Sequence, residues 1–311
     1  FASTLGGRRR PYLRPMHTRS SEVTISSLTN AHAESNAMTE LTLETRATNG
    51  LTSTSLVNNA ARFWFVCAAA GQFLFVFYIL AVFYPPIIRE GLEGMSGLHL
   101  PAGFRPGDTF GNLASASHVI LAALVIGGGP LQLLPIIRRR FPRFHRWLGR
   151  SYLLAAVLSA LGGLVMVWTR GTVGNTVSHL AISGDALLIL LCAGFALRHA
   201  LARQIAAHRR WAMRLFLVAS AVWFFRVGLM AWLATTGGIG IEFETFTGPF
   251  LYFLGFAQYL LPLAMLEWYF RCSTAASEGE RYLFAGTLIS LTLVMCVGIF
   301  AATMGMWLPR M

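Results

Sequence analysis

The thirteen residues from Arg138 to Arg150, RRRFPRFHRWLGR, carry six arginines and no acid, and long apolar runs lie on both sides. This block constrains the fold more than any other stretch, because hydrocarbon accepts the runs and rejects the charges between them. A shorter relative, HRRWAMR from His208 to Arg214, opens a later run in the same way. Seven uncharged or nearly uncharged runs of spanning length follow from Phe63 onward: Phe63 to Phe83, Phe110 to Ile137, Ser151 to Thr169, Val177 to Leu197, Trp211 to Ala234, Gly248 to Phe270 and Tyr282 to Leu308. Each reaches across a hydrocarbon core of about 30 Å, which takes roughly 20 helical residues. Membrane strands would alternate in polarity instead of running solidly apolar. The expected fold class is therefore all-α, an integral membrane helical bundle of seven transmembrane helices over residues 62–311.

Composition agrees with the bilayer as solvent. The chain is 55% hydrophobic and only 12% charged, whereas a soluble domain of this length must solvate a large surface. Its net charge is +12, and all 25 basic residues are arginine. They cluster at the ends of apolar runs, where topology and anionic lipid headgroups account for them, so the expected partners are lipid and not nucleic acid. A homo- or hetero-oligomer is left open. Cys67, Cys192, Cys272 and Cys296 show no C-x-x-C or C-x-x-C-H spacing, which excludes a disulfide framework and c-type haem attachment by the usual motif but not b-type haem.

Residues 1–61 are polar and Ser/Thr-rich, without helical or strand periodicity, and are expected to be a disordered or mis-started extension. Arg8, Arg9, Arg10, Arg14 and Arg19 with no acid among them resemble a transit peptide, and the plainer reading is a start at Met16 or Met38.

Arginine counts in the connectors alternate. Those at Arg138 to Arg150 and Arg198 to Arg214 carry six and five arginines and no acid. Opposite them lie Arg89 and Arg105 with Glu90, Glu93 and Asp108, then Arg170 alone, then Glu242 and Glu244. The expectation is a cytoplasmic N-terminus and an outside C-terminus in a bacterial plasma membrane, or an organelle membrane if the N-terminal stretch is a transit peptide. Trp64, Trp147, Trp211, Trp268 and Trp307 lie near span ends, where an amphipathic ring prefers the interface.

His118 precedes His145 in H-R-W-x-x-R, and His179 precedes His208 in H-R-R-W-x-x-R at a similar interval. Spans two and three would then repeat as spans four and five, making a four-helix core over residues 110–235. Within the second span, Gly127, Gly128, Gly129 and Pro130 mark either a kinked, locally unwound segment or a surface for close helix approach.

His118, Asp185 and Arg226 lie within spans at similar depth, about 10–12 Å from the outer end at 1.5 Å per residue. An isolated charge there is costly, so Asp185 is expected to pair with Arg226, with His118 as a third member and Gln132 on the same broken span. A buried pair that only fixes helix register is the plain alternative. His118 and His179 towards the outside, with His145 and His208 towards the inside, also follow the alternating pairing used by di-haem b cytochromes of the b561 type. His179 and Asp185, six residues apart, point about 240° away from each other. His208 and Arg226 share a face if one helix carries both. Glu267 is expected to pair with Arg271, and Gln72 and Gln258 to bond between helices. Nothing resembles G-x-S-x-G, H-E-x-x-H or a phosphate loop, so no catalytic residue and no metal site is expected.

His118, Gly129-Pro130 with Gln132, His145-Arg146 with Gly149-Arg150 and Tyr152, His208-Arg209-Arg210-Trp211 with Met213 and Arg214, and the mid-span Arg226 together resemble a family of bacterial multi-pass membrane proteins, domain of unknown function 2306, over about residues 110–235. That resemblance implies a helical membrane core and gives weight to the two arginine-rich hinges. It implies no activity or cofactor, and Asp185 is not part of its pattern. The expectation for function is a membrane redox or cofactor-binding bundle holding b-type haem or quinone. The alternatives are a small-solute or proton transporter and a non-catalytic accessory subunit.

Overall fold

A computed structural model describes residues 19–98, 104–171 and 174–311. The chain divides into two compact units, Phe1–Ser53 and Thr54–Met311. In the first, the described residues from Arg19 are helical. The readings placed on residues 1–18, a transit peptide or a start at Met16, lie outside the described residues.

The second unit is built from helices. In chain order they are α1 (Arg19–Val82, of which the part from Thr54 belongs here), α2 (Tyr84–Glu90), α3 (Thr109–Leu133), α4 (Pro135–Arg140), α5 (Pro142–Thr169), α6 (Thr176–Leu201), α7 (Ile205–Ala219), α8 (Ala221–Thr236), α9 (Pro249–Cys272) and α10 (Glu278–Ala302). Among the described residues, six stretches are long and apolar enough to cross a membrane, and α7 with α8 makes a seventh if the bent pair is one span. The expected all-α membrane bundle is the fold. Helices α3, α5, α6 and α7 form a ring in which each packs on the next and α7 returns to α3, while α9 lies against α6, α7 and α8 and α10 lies against α8.

Chain direction alternates through the bundle. One end gathers Val57 and Ala60 from α1, Cys272 from α9 and Phe284 from α10. The other gathers Phe75, Tyr78 and Ile79 from α1, Ala302 from α10 and Trp307 just beyond it. Both arginine-rich connectors fall at the first end, called here the arginine-rich end.

Two breaks interrupt spans, each with a local cause. Helix α3 passes through Pro130 unbroken and stops at Leu134, which takes an extended conformation (φ −66°, ψ 120°) before Pro135. The ring of a following proline disfavours helical geometry in the residue before it, so the second proline sets the break. The glycines instead serve close packing. A Cβ on Gly129 would stand 2.7 Å from the Phe216 ring, and Gly128 lies against Tyr152 and Leu148. The second break bends α7 from α8 by 49° at Ser220. Its Oγ donates to the Phe216 carbonyl at 2.7 Å and accepts from Gln72 Nε2 at 3.0 Å, and a serine bonded back to the preceding turn bends a helix. This break also separates His208 on α7 from Arg226 on α8, so a shared helical face does not carry across it.

Helix approach is closest where α10 meets α8, at Gly298, which has no room for a Cβ against the Val227 carbonyl. Gly298→Ala and Gly129→Ala should each destabilise the bundle by about 1–3 kcal/mol through overpacking. Gly162→Ala, whose Cβ meets nothing within 4 Å, should be neutral or slightly stabilising. Thermal unfolding of detergent-solubilised protein checks the contrast, and equal effects at all three positions would remove the packing explanation.

Candidate functional site

The polar residues singled out from the sequence do not assemble into one cluster. Neither Asp185 nor Arg226 has an ion-pair partner among the described residues. Asp185 lies on α6 towards α9, where its charge is felt by Tyr259, and its Oδ1 is buried with no hydrogen-bond partner. Arg226 lies on α8, donates to the Val222 carbonyl of its own helix at 3.1 Å and stands over the Phe75 ring at 5.3 Å. The expected pairing of the two is therefore corrected: they leave the ring of helices in different directions. Gln132 is corrected as well. It donates to the His145 carbonyl at 3.1 Å, fourteen residues along α3 from His118, or roughly 21 Å at 1.5 Å per residue.

His118 and Arg226 lie within electrostatic reach of each other. The guanidinium charge is felt at the imidazole, which faces the Ser159 backbone of α5 and lies 4.0 Å from the place of a Cβ on Gly163. His118 Nδ1 and Ser159 Oγ are both buried without a partner. Arg226 also neighbours Tyr78 and feels the charge of Arg310. Phe75 packs at a tilt on Trp307 at 5.3 Å, and Tyr78 lies 6.0 Å from Phe75 and 6.3 Å from Trp307. Trp307 was expected at the interface. It is instead 1% exposed, its Nε1 has no partner, and a π-helical turn over Thr303–Trp307 aims it inward. The nearby Trp223 is fully buried with its Nε1 likewise unpartnered. Phe75, Tyr78, Trp223 and Trp307 belong to one buried core cluster, and the residues named around Arg226 include several donors and no carboxylate.

The other histidines are placed as follows. His179 packs edge-on to Trp168 at 5.9 Å. His145 and His208 lie near each other at the arginine-rich end, where His208 Nδ1 bonds the Ala196 carbonyl at 2.9 Å and His145 Nδ1 is buried without a partner. Between these levels the ring of α3, α5, α6 and α7 is filled by Val125, Tyr152, Ala155, Ala156, Cys192, Ala193, Leu215 and Val218. Glu267 pairs with Arg214 across α9 and α7 at 2.6 and 2.9 Å, and Arg271 pairs with Glu280, so the expected Glu267–Arg271 pair is corrected. The i,i+4 spacing lost to a bidentate partner that also stacks on Trp211 at 4.6 Å.

One cluster escaped the sequence reading. Arg170, counted there only as a lone connector charge, is buried with a side chain 2% exposed. It donates through Nε to Asp108 Oδ2 at 2.8 Å, through Nη1 to Ser115 Oγ at 3.1 Å and through Nη2 to Asn112 Oδ1 at 2.8 Å. Arg105 Nη2 in turn donates to the Arg170 carbonyl at 3.1 Å. Asp108 also caps α3, accepting from the Gly111 N–H at 2.9 Å. The Asp-x-x-Gly-Asn run at a span start is the signal that was available, since Asp is a preferred N-cap. These contacts latch the start of α3 to the end of α5.

Residues 115–248 match a family model described as a predicted membrane protein, DUF2306. The chain matches no curated protein and no solved structure.

The latch carries a pH dependence. The Gly111 N–H first, then the charges of Arg170 and Arg105, hold the Asp108 carboxyl below its ordinary value. A depressed carboxylate stabilises the fold above the ordinary carboxylate range and loses that contribution as pH falls through the folded-state value. Asp108→Asn should therefore lower the unfolding temperature at neutral pH, with the gap to wild type closing as the solution is acidified. A gap that does not change with pH would mean the charge contributes nothing.

Proposed function

We propose that this protein is a membrane-embedded, ligand-binding bundle of the redox class, and that its ligand is a quinone held between His118 and Arg226. One observation carries the reading: donors without acceptors converge on an aromatic lining. Arg226 has no carboxylate partner among the described residues, Trp307 Nε1 has no acceptor, and His118 Nδ1 is buried without a partner. A buried donor without a partner is costly, so a group that supplies acceptor oxygens is the natural complement. A quinone offers two carbonyl oxygens on a flat ring suited to Phe75, Tyr78 and Trp307, and an isoprenoid tail suited to lipid. The packing of Ala155, Ala156 and Ala193 inside the helix ring favours this over b-type haem, whose macrocycle needs a wide slot between helices. Arg226 stabilises negative charge that develops on a quinone oxygen during reduction, and His118 Nδ1 accepts from the hydroxyl of the reduced ring.

Orientation completes the proposal. The arginine-rich end faces the cytoplasm of a bacterial plasma membrane, where the open depression lined by Arg140, Phe141, Pro142, Arg143 and Phe144 receives anionic headgroups. The ligand site then lies in the outer half of the bilayer.

Quenching of the intrinsic tryptophan fluorescence of purified protein by a short-chain quinone tests the site. Loss of a hydrogen bond from a charged donor is worth about 1.5–3 kcal/mol, so Arg226→Ala should weaken binding roughly tenfold or more, and His118→Ala should weaken it less. Wild-type protein that does not bind, or an Arg226→Ala variant that binds as wild type does, would defeat the reading. For orientation, a fluorescent protein inserted at Arg203 should fluoresce and a phosphatase inserted at Glu244 should be active; the reverse pattern would invert the topology.

A further inference from the structure

Asp185 takes no part in the His118–Arg226 site, and the described residues do not explain why a carboxyl stands where it does. It lies nine residues into α6, on a membrane-spanning helix, with Oδ1 buried and without a hydrogen-bond partner. No cation pairs with it among the described residues. The helices packed against α6 are α5, α7 and α9. From α9, Tyr259 faces it, and on its own helix Cys192 feels its charge. Arg214 on α7 and Glu267 on α9 lie further towards the arginine-rich end, where they reach Cys192 but not Asp185. Arg170, just beyond the end of α5, is engaged by Asp108, Ser115 and Asn112, and Arg143, His145, Arg146 and Arg150 lie in the first turns of α5 at the arginine-rich end.

The local packing makes room for a polar partner. Gly184 precedes Asp185, and a Cβ there would stand 3.0 Å from the Tyr259 hydroxyl. The glycine lets that hydroxyl approach the α6 backbone beside the carboxyl. Cys192 lies seven residues beyond Asp185, about 700° or nearly two full turns, so it shares the helix face and leads towards Arg214 and Glu267. Cys192 is thus the polar side chain between Asp185 and the Glu267–Arg214 pair, whose carboxylate is half exposed at the arginine-rich end.

We propose that Asp185 is a site of reversible protonation inside the membrane, with Tyr259 as its hydrogen-bonding neighbour and the Glu267–Arg214 end as its route to water. A carboxylate without a cation in hydrocarbon is strongly disfavoured, and a proton is the one ligand that neutralises it without requiring a cavity. In the loading step a hydronium ion on the arginine-rich side gives its proton to a carboxylate oxygen, leaving water and a neutral acid. Release reverses this, so charge balances at each step. The proposal does not depend on quinone binding.

Infrared spectroscopy of the full chain in lipid vesicles tests it through the carbonyl stretch of a protonated carboxylic acid. Wild-type protein should show a band that disappears as pH is raised and returns as it is lowered. Asp185→Asn should lack the band, Asp185→Glu should shift it, and Tyr259→Phe should move its frequency and its titration midpoint. The glutamate variant keeps the assignment decisive if the asparagine variant does not fold. A band absent at every pH, a band that persists unchanged at every pH at which the fold survives, or a band unaltered by both Asp185 substitutions would each overturn the proposal.

Discussion

Everything in this molecule depends on the absence of water within the hydrocarbon. A polar atom inside the bundle finds a partner in the protein, or it stands unsatisfied at a cost that surface residues never meet. This rule separates the buried groups into two kinds. Arg170 is one kind: its guanidinium reaches Asp108, Asn112 and Ser115, and the result is a latch between two helices. His118, Asp185 and Trp307 are the other kind, each with a buried polar atom that bonds nothing. The first kind holds the fold together. The second kind is where chemistry is to be sought, because such atoms destabilise an empty protein and a ligand or proton relieves them.

The two unsatisfied sites have opposite character. Around Arg226 there are donors and positive charge and no acid, which suits an electron-rich acceptor. Around Asp185 there is an acid with a hydroxyl for company and no cation, which suits a proton. They lie on different sides of the helix ring, the first towards α1, α8 and α10 and the second towards α9. Under the quinone proposal, reduction at the first site would consume protons and the second site would be where one is held. The two remain separately testable because no side chain is shared between them.

Much of this architecture was legible in the sequence. Solid apolar runs between arginine blocks have one physical solution, and each of the seven expected runs coincides with observed helix, two of them interrupted by the breaks at Leu134 and Ser220. Depth along a helix was legible too, since 1.5 Å per residue places His118 and Arg226 at matching levels. Direction around the helix was not. The Asp185–Arg226 pair failed because depth says nothing about azimuth, and azimuth past residue 219 is reset by a bend that a lone serine does not announce. Trp307 was misplaced for a related reason: a π-helical turn rotated an apparent interface residue inward. The Arg170 latch was missed because its partners come from the start of α3, more than fifty residues earlier in the chain. In each case an interaction between distant segments decided a side chain's place, and periodicity records only local ones.

Ser220 gives the bend a mechanical meaning. Helix α8 begins at the residue after it, and Arg226 stands six residues beyond the break, a lever arm of roughly 9 Å. A rotation of about 10° around that point carries the base of the guanidinium side chain about 1.5 Å, the difference between a hydrogen bond made and one broken. The pivot is set by one hydroxyl, which donates to the Phe216 carbonyl and accepts from Gln72 of α1, a residue whose own carbonyl oxygen is left unpaired. The reach of the guanidinium over the Phe75 ring is thus governed by a neutral contact in the middle of the bilayer, out of range of salt and headgroup charge.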